Sequence, residues 1–158
     1  MGGLAGKRKG DSLMEPIHVK KLNPLATVPT YGSEEAAGAD LYACLESEVT
    51  IPSGETVFIP TGIALEVPKG CAGLVYARSS LGSKQGLAPA NKVGVIDSDY
   101  RGQVMVALHN HGAVSQIVQP GERVAQLLIT PVFTPGFCEV EELSDTERGT
   151  GGFGSTGK

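Results

Sequence analysis

This chain contains no tryptophan, few aromatic residues of any kind and no excess of positive charge. Aromatic residues make up 5% of its 158 positions, and 13 lysines and arginines face 17 aspartates and glutamates, which gives a net charge of −4. A protein that binds DNA or RNA as a polymer needs a basic face and usually stacking rings. The composition therefore argues against a nucleic-acid polymer as partner.

Cysteine is also scarce, which argues against a disulfide scaffold. Cys44, Cys71 and Cys138 are odd in number and widely spaced, and they include no C-x-x-C pair. This usage is typical of a reduced, intracellular protein, so we expect a cytoplasmic location. No apolar run approaches the ~18 residues of a membrane span, and the N-terminus lacks the apolar region of a signal peptide. We therefore expect no membrane partner.

Helical periodicity is missing as well, and what remains is typical of an all-β protein. No stretch of about ten residues or more repeats apolar side chains at the helical period. The 22 glycines and 10 prolines fall between short apolar runs, with turns about every eight to ten residues. We predict one β domain over residues 14–147, with at most one short helix. Residues 1–13 are interpreted as a disordered leader or an added extension, with Met14 as a plausible native start.

The stretch from Asn91 to Gly102, NKVGVIDSDYRG, is the strongest candidate for a functional site. Apolar residues flank the polar turn 97–99, so we predict a β-hairpin whose tip carries an aromatic ring, Tyr100, between two carboxylates on one side and an arginine on the other. A strand pair holds its backbone N–H and C=O groups in a fixed row. The mouth of a hairpin can therefore offer a flat ring both a stacking surface and hydrogen bonds along its edge. A plain surface turn is the alternative, because Asp, Ser and Gly are ordinary turn residues.

Arg78, Ser79 and Ser80 form a second candidate site, directly after an apolar strand. A guanidinium, two hydroxyls and the free N–H groups of a turn make a reasonable phosphate cradle, and Ser79 is expected to cap one helical turn. An exposed arginine beside a capped turn is the alternative. Gln126 is polar inside an apolar strand and, if buried, needs a hydrogen-bond partner or a ligand. Asp40, at a point where the chain turns inward, is by itself as consistent with a cap residue as with a site.

The C-terminal segment, residues 148–158, contains five glycines in eleven positions. Its G-x-x-x-x-G-K spacing imitates a P-loop, but no Ser or Thr follows the lysine and no strand leads in, which excludes a Walker-type NTPase. Ordering the whole segment costs on the order of 10 kcal/mol, an amount that only a highly charged ligand readily offsets. We predict a flexible Gly-rich arm that closes as a lid over ligand, with Phe153 as a stacking ring. A mobile terminus without function is the alternative.

Five segments, in order and with sensible spacing, resemble the homotrimeric deoxyuridine triphosphatase (dUTPase) family across residues 15–158. The resemblance implies a jelly-roll-like distorted β-barrel, a homotrimer with active sites shared between subunits, and Mg²⁺-dependent hydrolysis of dUTP to dUMP and pyrophosphate. Such an enzyme limits uracil incorporation into DNA and supplies dUMP for thymidylate synthesis. The segments are Ala37–Leu41, Arg78–Leu81, Gly94–Gly102, Gly121–Gln126 and Arg148–Ser155.

The resemblance also implies a role for individual residues. Asp97 would activate the attacking water, and Asp40 would act through water on a Mg²⁺ ion that is held mainly by the triphosphate. Tyr100 would pack on the deoxyribose, and Phe153 would cover the uracil. The uracil edge would be read by Asn91, Val95 and Ile96, with Met105 close by. The phosphates would be held by Arg78, Ser79, Ser80 and Gln126. The γ end would be held by Arg148, Ser155 and Thr156, beside Gly154.

Two positions depart from the family pattern, and both bear on phosphate geometry. Ser80 stands where glycine is most common, and Ala77 stands where a proline often precedes the arginine. Neither departure touches Asp97, so we expect an active enzyme.

Four other interpretations compete with this one. A dCTP deaminase of the same fold would need a glutamate placed for deamination. A non-catalytic nucleotide-binding regulatory trimer would not need the carboxylate of Asp97, and a purely structural β trimer leaves the C-terminal segment unexplained. A zinc site at His109 and His111 with His18 is disfavoured, because no nearby carboxylate or thiol completes the ligand set.

Overall fold

The computed structural model describes residues 15–154, so the predicted leader, Ser155 and Thr156 lie outside the described residues. Within this range the chain forms short β-strands and a single helical turn, which confirms the all-β prediction. No helix among these residues has the length and apolar character needed to cross a membrane. In chain order the strands are β1 Val19–Lys21, β2 Thr30–Tyr31, β3 Ala39–Tyr42, β4 Val49–Ile51, β5 Thr56–Pro60, β6 Ile63–Leu65, β7 Cys71–Tyr76, β8 Leu87–Pro89, β9 Gly94–Ile96, β10 Met105–Asn110, β11 Gln116–Val118 and β12 Arg123–Pro131, with the helical turn Leu81–Gln85 between β7 and β8.

The strands form small antiparallel sheets that pack around one core. One sheet has five strands in the order β2-β3-β12-β7-β9, another has three in the order β5-β10-β8, and β1-β6 and β11-β4 form pairs. The described strands do not close into one continuous barrel, so the fold is jelly-roll-like but open. Leu41 and Val124 of the five-stranded sheet share a hydrophobic cluster with Ile59 and Leu108 of the three-stranded sheet.

The alternation of β10 shows how sequence sets the two faces of a strand. Val106, Leu108 and Asn110 are buried, while Met105 is exposed at the start of the strand. Successive side chains of a strand point to opposite faces, so burying the apolar set of β10 turns Met105 outward. This register places Met105 on the surface that forms the candidate site.

The predicted hairpin between residues 91–96 and 104–108 is wrong. β9 pairs with β7, with Val95 opposite Leu74, whereas β10 pairs with β5 and β8. The loop 97–104 therefore crosses from one sheet to another. Two apolar runs around a polar turn fit a hairpin and such a crossing equally well, because the pattern specifies faces and not neighbours.

The predicted helical turn is present, but Ser79 does not cap it. The turn runs from Leu81 to Gln85 and is preceded by Ser80, whose side chain makes no capping hydrogen bond. The hydroxyl of Ser80 instead accepts a hydrogen bond from Nη1 of Arg78 at 3.4 Å. The turn ends at Gly86, whose left-handed φ of 69° suits glycine.

Residues 132–154 contain no strand or helix, and their apolar side chains face solvent. Phe133, Phe137 and Phe153 are essentially fully exposed. Arg148 donates a hydrogen bond from Nε to the carbonyl of Gly151 at 2.7 Å, which is a local contact within the segment. Residues 132–154 are therefore held to the β domain by few contacts.

Candidate active site

An open pocket with a cavity volume of about 270 Å³ lies beside β9 and the loop that follows it. The structure brings together here all of the residues that were expected to read the base or activate water. The predicted residues that line the pocket are Asn91, Val95, Ile96, Asp97, Tyr100 and Met105. We call this the base pocket.

The walls of the base pocket are exposed apolar side chains. Val95 is 63% exposed, Tyr100 46% and Met105 41%. Leaving large apolar groups in water is unfavourable by roughly 25 cal/mol per Å². A flat apolar ring that enters the pocket covers this surface and recovers that energy.

Phe58 also lines the base pocket, and sequence reasoning missed it. Phe58 lies on β5 opposite Ala107 of β10 and is 66% exposed. Its neighbours Val57 and Ile59 turn toward the core. The available signal was the alternation of this strand, which leaves a large ring on the face opposite the core positions.

The backbone of β9 is placed to contact a ligand edge. β9 is the last strand of its sheet, so among the described residues only β7 pairs with it. The outer edge of such a strand presents N–H and C=O groups that sheet pairing does not use. Gly94, Val95 and Ile96 all line the pocket, which gives the pocket backbone donors and acceptors as well as apolar walls.

The loop that carries Asp97 is closed by its own hydrogen bonds. The N–H of Tyr100 donates to the carbonyl of Asp97 at 3.1 Å, and the Tyr100 hydroxyl donates to the carbonyl of Gln103 at 3.0 Å. A Cβ atom at Gly102 would collide with the Tyr100 ring, so a larger residue there would displace that ring. Within residues 15–154 no hydrogen bond or ion pair occupies the carboxylate of Asp97, which is exposed and able to accept a proton from water.

A second depression, with a volume of about 200 Å³, collects the charged candidates. We call it the anion depression. Arg123 was not predicted as a site residue, although it lies in the fourth of the five segments. Ser80 is absent from the lining and touches the depression only through Arg78. The lining residues are Gly32, Ala36, Gly38, Asp40, Arg78, Ser79, Arg123 and Gln126.

Asp40 lies between two arginines in the anion depression. Nε of Arg78 donates to its Oδ1 at 2.8 Å, and Nη1 of Arg123 donates to its Oδ2 at 3.3 Å. Asp40 is buried and held on β3, which pairs with β12 and so brings Arg123 alongside. A buried carboxylate requires such partners, and in return it fixes the directions of both guanidinium groups.

Asp40 is the single carboxylate among the described residues that line the anion depression, so a Mg²⁺ ion there would contact it through water. Both oxygens of Asp40 are engaged by arginines. No group of three or more His, Cys, Asp or Glu side chains within residues 15–154 is arranged to hold a metal. Mg²⁺ commonly binds through one or two carboxylates, several waters and substrate phosphates, so no all-protein cage is required.

The side chain of Gln126 has a hydrogen-bond partner, as expected for a polar residue inside an apolar strand. Its Nε2 donates to the carbonyl of Ala77 at 2.8 Å. Its Oε1 lies against Gly38, where an added Cβ would approach to 2.6 Å. Gly38 therefore leaves the space that Gln126 occupies.

The three sets of predicted residues line different surfaces of the described chain. The base pocket and the anion depression have no lining residue in common. Arg148, Phe153 and Gly154 line neither of them.

The histidines serve local contacts in the described structure. His109 accepts or donates a hydrogen bond at Nδ1 with the hydroxyl of Thr56 at 2.8 Å, and its ring meets that of His111 edge-on at 4.4 Å between centroids. Desolvation lowers the pKa of His111, and the charges of Lys92 and His109 lower it further. His18 instead contacts Glu66.

Comparison with known proteins assigns these features to one family. The family model described as dUTPase matches residues 25–157. The deoxyuridine 5'-triphosphate nucleotidohydrolase of Desulfitobacterium hafniense is 52% identical over 131 residues, which cover 82% of this chain and 87% of that protein. The enzyme of the same name from Janthinobacterium sp. is 47% identical over 148 residues, which cover 92% of this chain and 99% of that one.

Solved structures agree with the sequence relatives. A mutant of the Staphylococcus bacteriophage 80alpha dUTPase with dUpNHpp has a TM-score of 0.84 and 29% sequence identity to this chain. The match covers 92% of this chain and 100% of the phage protein. The topology described above is therefore that of a dUTPase.

Proposed function

The chain belongs to the dUTPase family, and we propose that it is a dUTP diphosphatase, which hydrolyses dUTP to dUMP and pyrophosphate. One observation carries the proposal: a free carboxylate, Asp97, stands at the edge of a ring-sized apolar pocket that also offers strand backbone. This activity limits uracil incorporation into DNA and supplies dUMP for thymidylate synthesis. Its nucleotide substrate and the free cysteines support a cytoplasmic location.

Uracil enters the base pocket. The edge of β9 at Val95 and Ile96, together with Asn91, pairs with the polar edge of the ring, while Met105 and Phe58 contact its faces and sides. A pocket too tight for a methyl group rejects thymine. Cytosine presents the wrong donors and acceptors to the backbone, a mismatch that costs more than lost apolar contact. Tyr100 packs on the deoxyribose and disfavours a 2′-hydroxyl.

The anion depression holds the phosphates. Arg78 contributes charge-assisted hydrogen bonds, which are short and can be bidentate. Asp40 keeps the guanidinium of Arg78 in place, while Ser79, Ser80 and Gln126 add neutral donors. When Mg²⁺ is bound, mainly by the triphosphate and through water by Asp40, it neutralises phosphate charge and polarises the phosphoryl oxygens.

Asp97 acts as the general base. A water molecule gives its proton to the carboxylate as its oxygen bonds to phosphorus, and the phosphoanhydride bond to the departing pyrophosphate breaks. General-base help of this kind contributes about 10²- to 10⁴-fold to a rate. The benefit is largest when bulk water is excluded. The arm supplies that exclusion when Phe153 covers the uracil and Arg148, Gly154, Ser155 and Thr156 contact the γ end.

The active site is shared between the subunits of a homotrimer. The separation of the base pocket from the anion depression on one chain supports this arrangement, because no lining residue belongs to both. The exposed segment between β12 and the arm supports it further, since Phe133 and Phe137 have fully exposed rings that a neighbouring copy would cover.

Pyrophosphate release from dUTP, dTTP, dCTP and UTP in the presence of Mg²⁺ tests the proposed function. Turnover of dUTP alone is the expected result. Loss of ammonia from dCTP would instead assign the deaminase reaction. Binding of dUTP without cleavage would assign a regulatory nucleotide-binding protein.

A further inference from the structure

The loop that carries Asp97 is fastened to the chain around β6. At the far end of the loop, the N–H of Gly62 donates to Oε1 of Gln103 at 2.9 Å, and the Thr61 hydroxyl donates to the carbonyl of Val104 at 2.6 Å. These bonds hold the exit of the loop. They do not reach the turn that begins at Asp97.

Arg101 holds the turn itself. Its Nη1 donates to the carbonyl of Ser98 at 2.8 Å and to the carbonyl of Tyr100 at 3.0 Å. A guanidinium is a rigid planar fork, so groups bonded to it keep fixed relative positions. Arg101 therefore gathers the backbone on the C-terminal side of Asp97 into one arrangement.

Glu66 in turn holds Arg101. Nε of Arg101 lies 3.7 Å from Oε1 of Glu66, directly after β6. The other carboxylate oxygen, Oε2, is 2.9 Å from Nδ1 of His18, next to the strand β1 that pairs with β6. The hydrogen bond from His18 and the charge of Arg101 lower the pKa of Glu66, so it stays ionised at more acid pH than an isolated glutamate.

We propose that Glu66 is a positioning residue for the reaction, acting through Arg101 on the loop that presents Asp97. The proposal rests on the function proposed above and adds a residue that lies outside the base pocket and the anion depression. Glu66 contacts neither the substrate nor the attacking water in this role. Losing the tether loosens the loop that carries Asp97 and Tyr100, while the pocket walls at Val95 and Met105 stay on their strands, so alignment of Asp97 is affected more than binding of the base.

The size of the effect follows from the exposure of the pair. The side chains of Arg101 and Glu66 are 55% and 53% exposed. Ion pairs in water are weak, so removing the carboxylate should lower kcat by about two- to fivefold, with KM for dUTP changed by less than about twofold. Arg101→Gln should lower kcat more, because the carbonyls of Ser98 and Tyr100 lose their donor as well.

The test compares Glu66→Gln, Arg101→Gln and the double variant in steady-state dUTP hydrolysis. Glu46→Gln is the matched control, because it makes the same chemical change at an exposed glutamate outside both depressions. If Glu66 acts through Arg101, the double variant is no slower than Arg101→Gln alone. Additive losses, or a loss confined to KM, overturn the proposal. Thermal melting of each variant identifies a general loss of folding.

Amide hydrogen exchange in residues 98–101 provides a readout that does not depend on catalysis. Exchange should be faster in Glu66→Gln than in wild type, and unchanged in Glu46→Gln. If the wild type does not hydrolyse dUTP, the proposed function fails, while faster exchange in Glu66→Gln still supports the tether. Unchanged exchange in Glu66→Gln overturns it.

Discussion

The base pocket and the anion depression are built in opposite ways. The base pocket exposes apolar side chains such as Val95 and Met105 beside a carboxylate, Asp97, that makes no ion pair within the described residues. In the anion depression the charges are already paired, with Asp40 held between Arg78 and Arg123. The first site is suited to a flat neutral ring recognised by shape and edge hydrogen bonds. The second is preorganised for charge.

Because the two depressions differ in this way, we expect substitutions in one to affect the reaction and substitutions in the other to affect binding. Of the two carboxylates that line the depressions, Asp97 makes no ion pair within the described residues and lies in the base pocket, whereas Asp40 is paired with the arginines of the anion depression. Substitutions in the base pocket at Asp97 should therefore change kcat. Substitutions in the anion depression should change affinity for the triphosphate.

The largest expected effect is that of Asp97→Asn. The substitution keeps the shape of the side chain but removes its basicity, so kcat should fall by about 10²- to 10⁴-fold while the affinity for dUTP is retained. Pyrophosphate release measures kcat, and calorimetry with a non-hydrolysable dUTP analogue measures affinity. Asp99→Asn is the matched control, since Asp99 belongs to the same loop but does not line the pocket. Equal losses in both variants would contradict the role of Asp97.

Mixing two impaired variants, assayed at dUTP concentrations well below KM, tests whether the two depressions meet across subunits. Arg78→Gln should weaken dUTP binding by about tenfold or more, because a charge-assisted bond is lost. If each site takes Asp97 from one chain and Arg78 from another, coexpression of Asp97→Asn with Arg78→Gln rebuilds about a quarter of the sites by random assembly. Activity should then exceed that of either variant alone. No gain in trimers shown to be mixed would place both residues of a site on one chain.

Truncation after Glu147 removes the arm and tests the lid. Loss of water exclusion and of the γ-end contacts should lower kcat/KM for dUTP by about tenfold or more. Phe153→Ala is the milder companion variant and should lower it less, since only the stacking ring is lost. A change of no more than a few-fold on truncation would show that the arm is not a lid.

The sequence predicted the side chains of both depressions better than it predicted their framework. Asp97, Tyr100 and Met105 do line one pocket, because the segment that contains them is local and its turn chemistry is readable. The pairing of β9 with β7 was missed, because alternation fixes the face of a strand and not its neighbour. Phe58 was missed because a single aromatic residue on a strand forms no motif.

The partners of Asp40 could not be predicted from local patterns either. Its two ion pairs join β3 to the end of β7 at Arg78 and the start of β12 at Arg123. Contacts of this kind depend on strand order in the five-stranded sheet, which a single sequence does not reveal. The sequence predicted the helical turn but not its first residue, so the hydroxyl of Ser79 was assigned to a helix cap.

The smallest expected effect is that of Gly38→Ala, which removes space from the anion depression without changing its charge. In Gly38→Ala the added Cβ would meet Oε1 of Gln126 at 2.6 Å, so the amide must move and its hydrogen bond to the Ala77 carbonyl is strained. A displaced Gln126 amide no longer donates to phosphate as proposed. Losing that one neutral hydrogen bond should weaken the affinity for pyrophosphate by about two- to tenfold and leave kcat nearly unchanged. Gly32→Ala is the matched control, because Gly32 lines the same depression and a Cβ there meets nothing within 4 Å. Calorimetry with pyrophosphate measures the affinity of both variants. If Gly32→Ala weakens binding as much as Gly38→Ala does, crowding of Gln126 is not the cause of the loss.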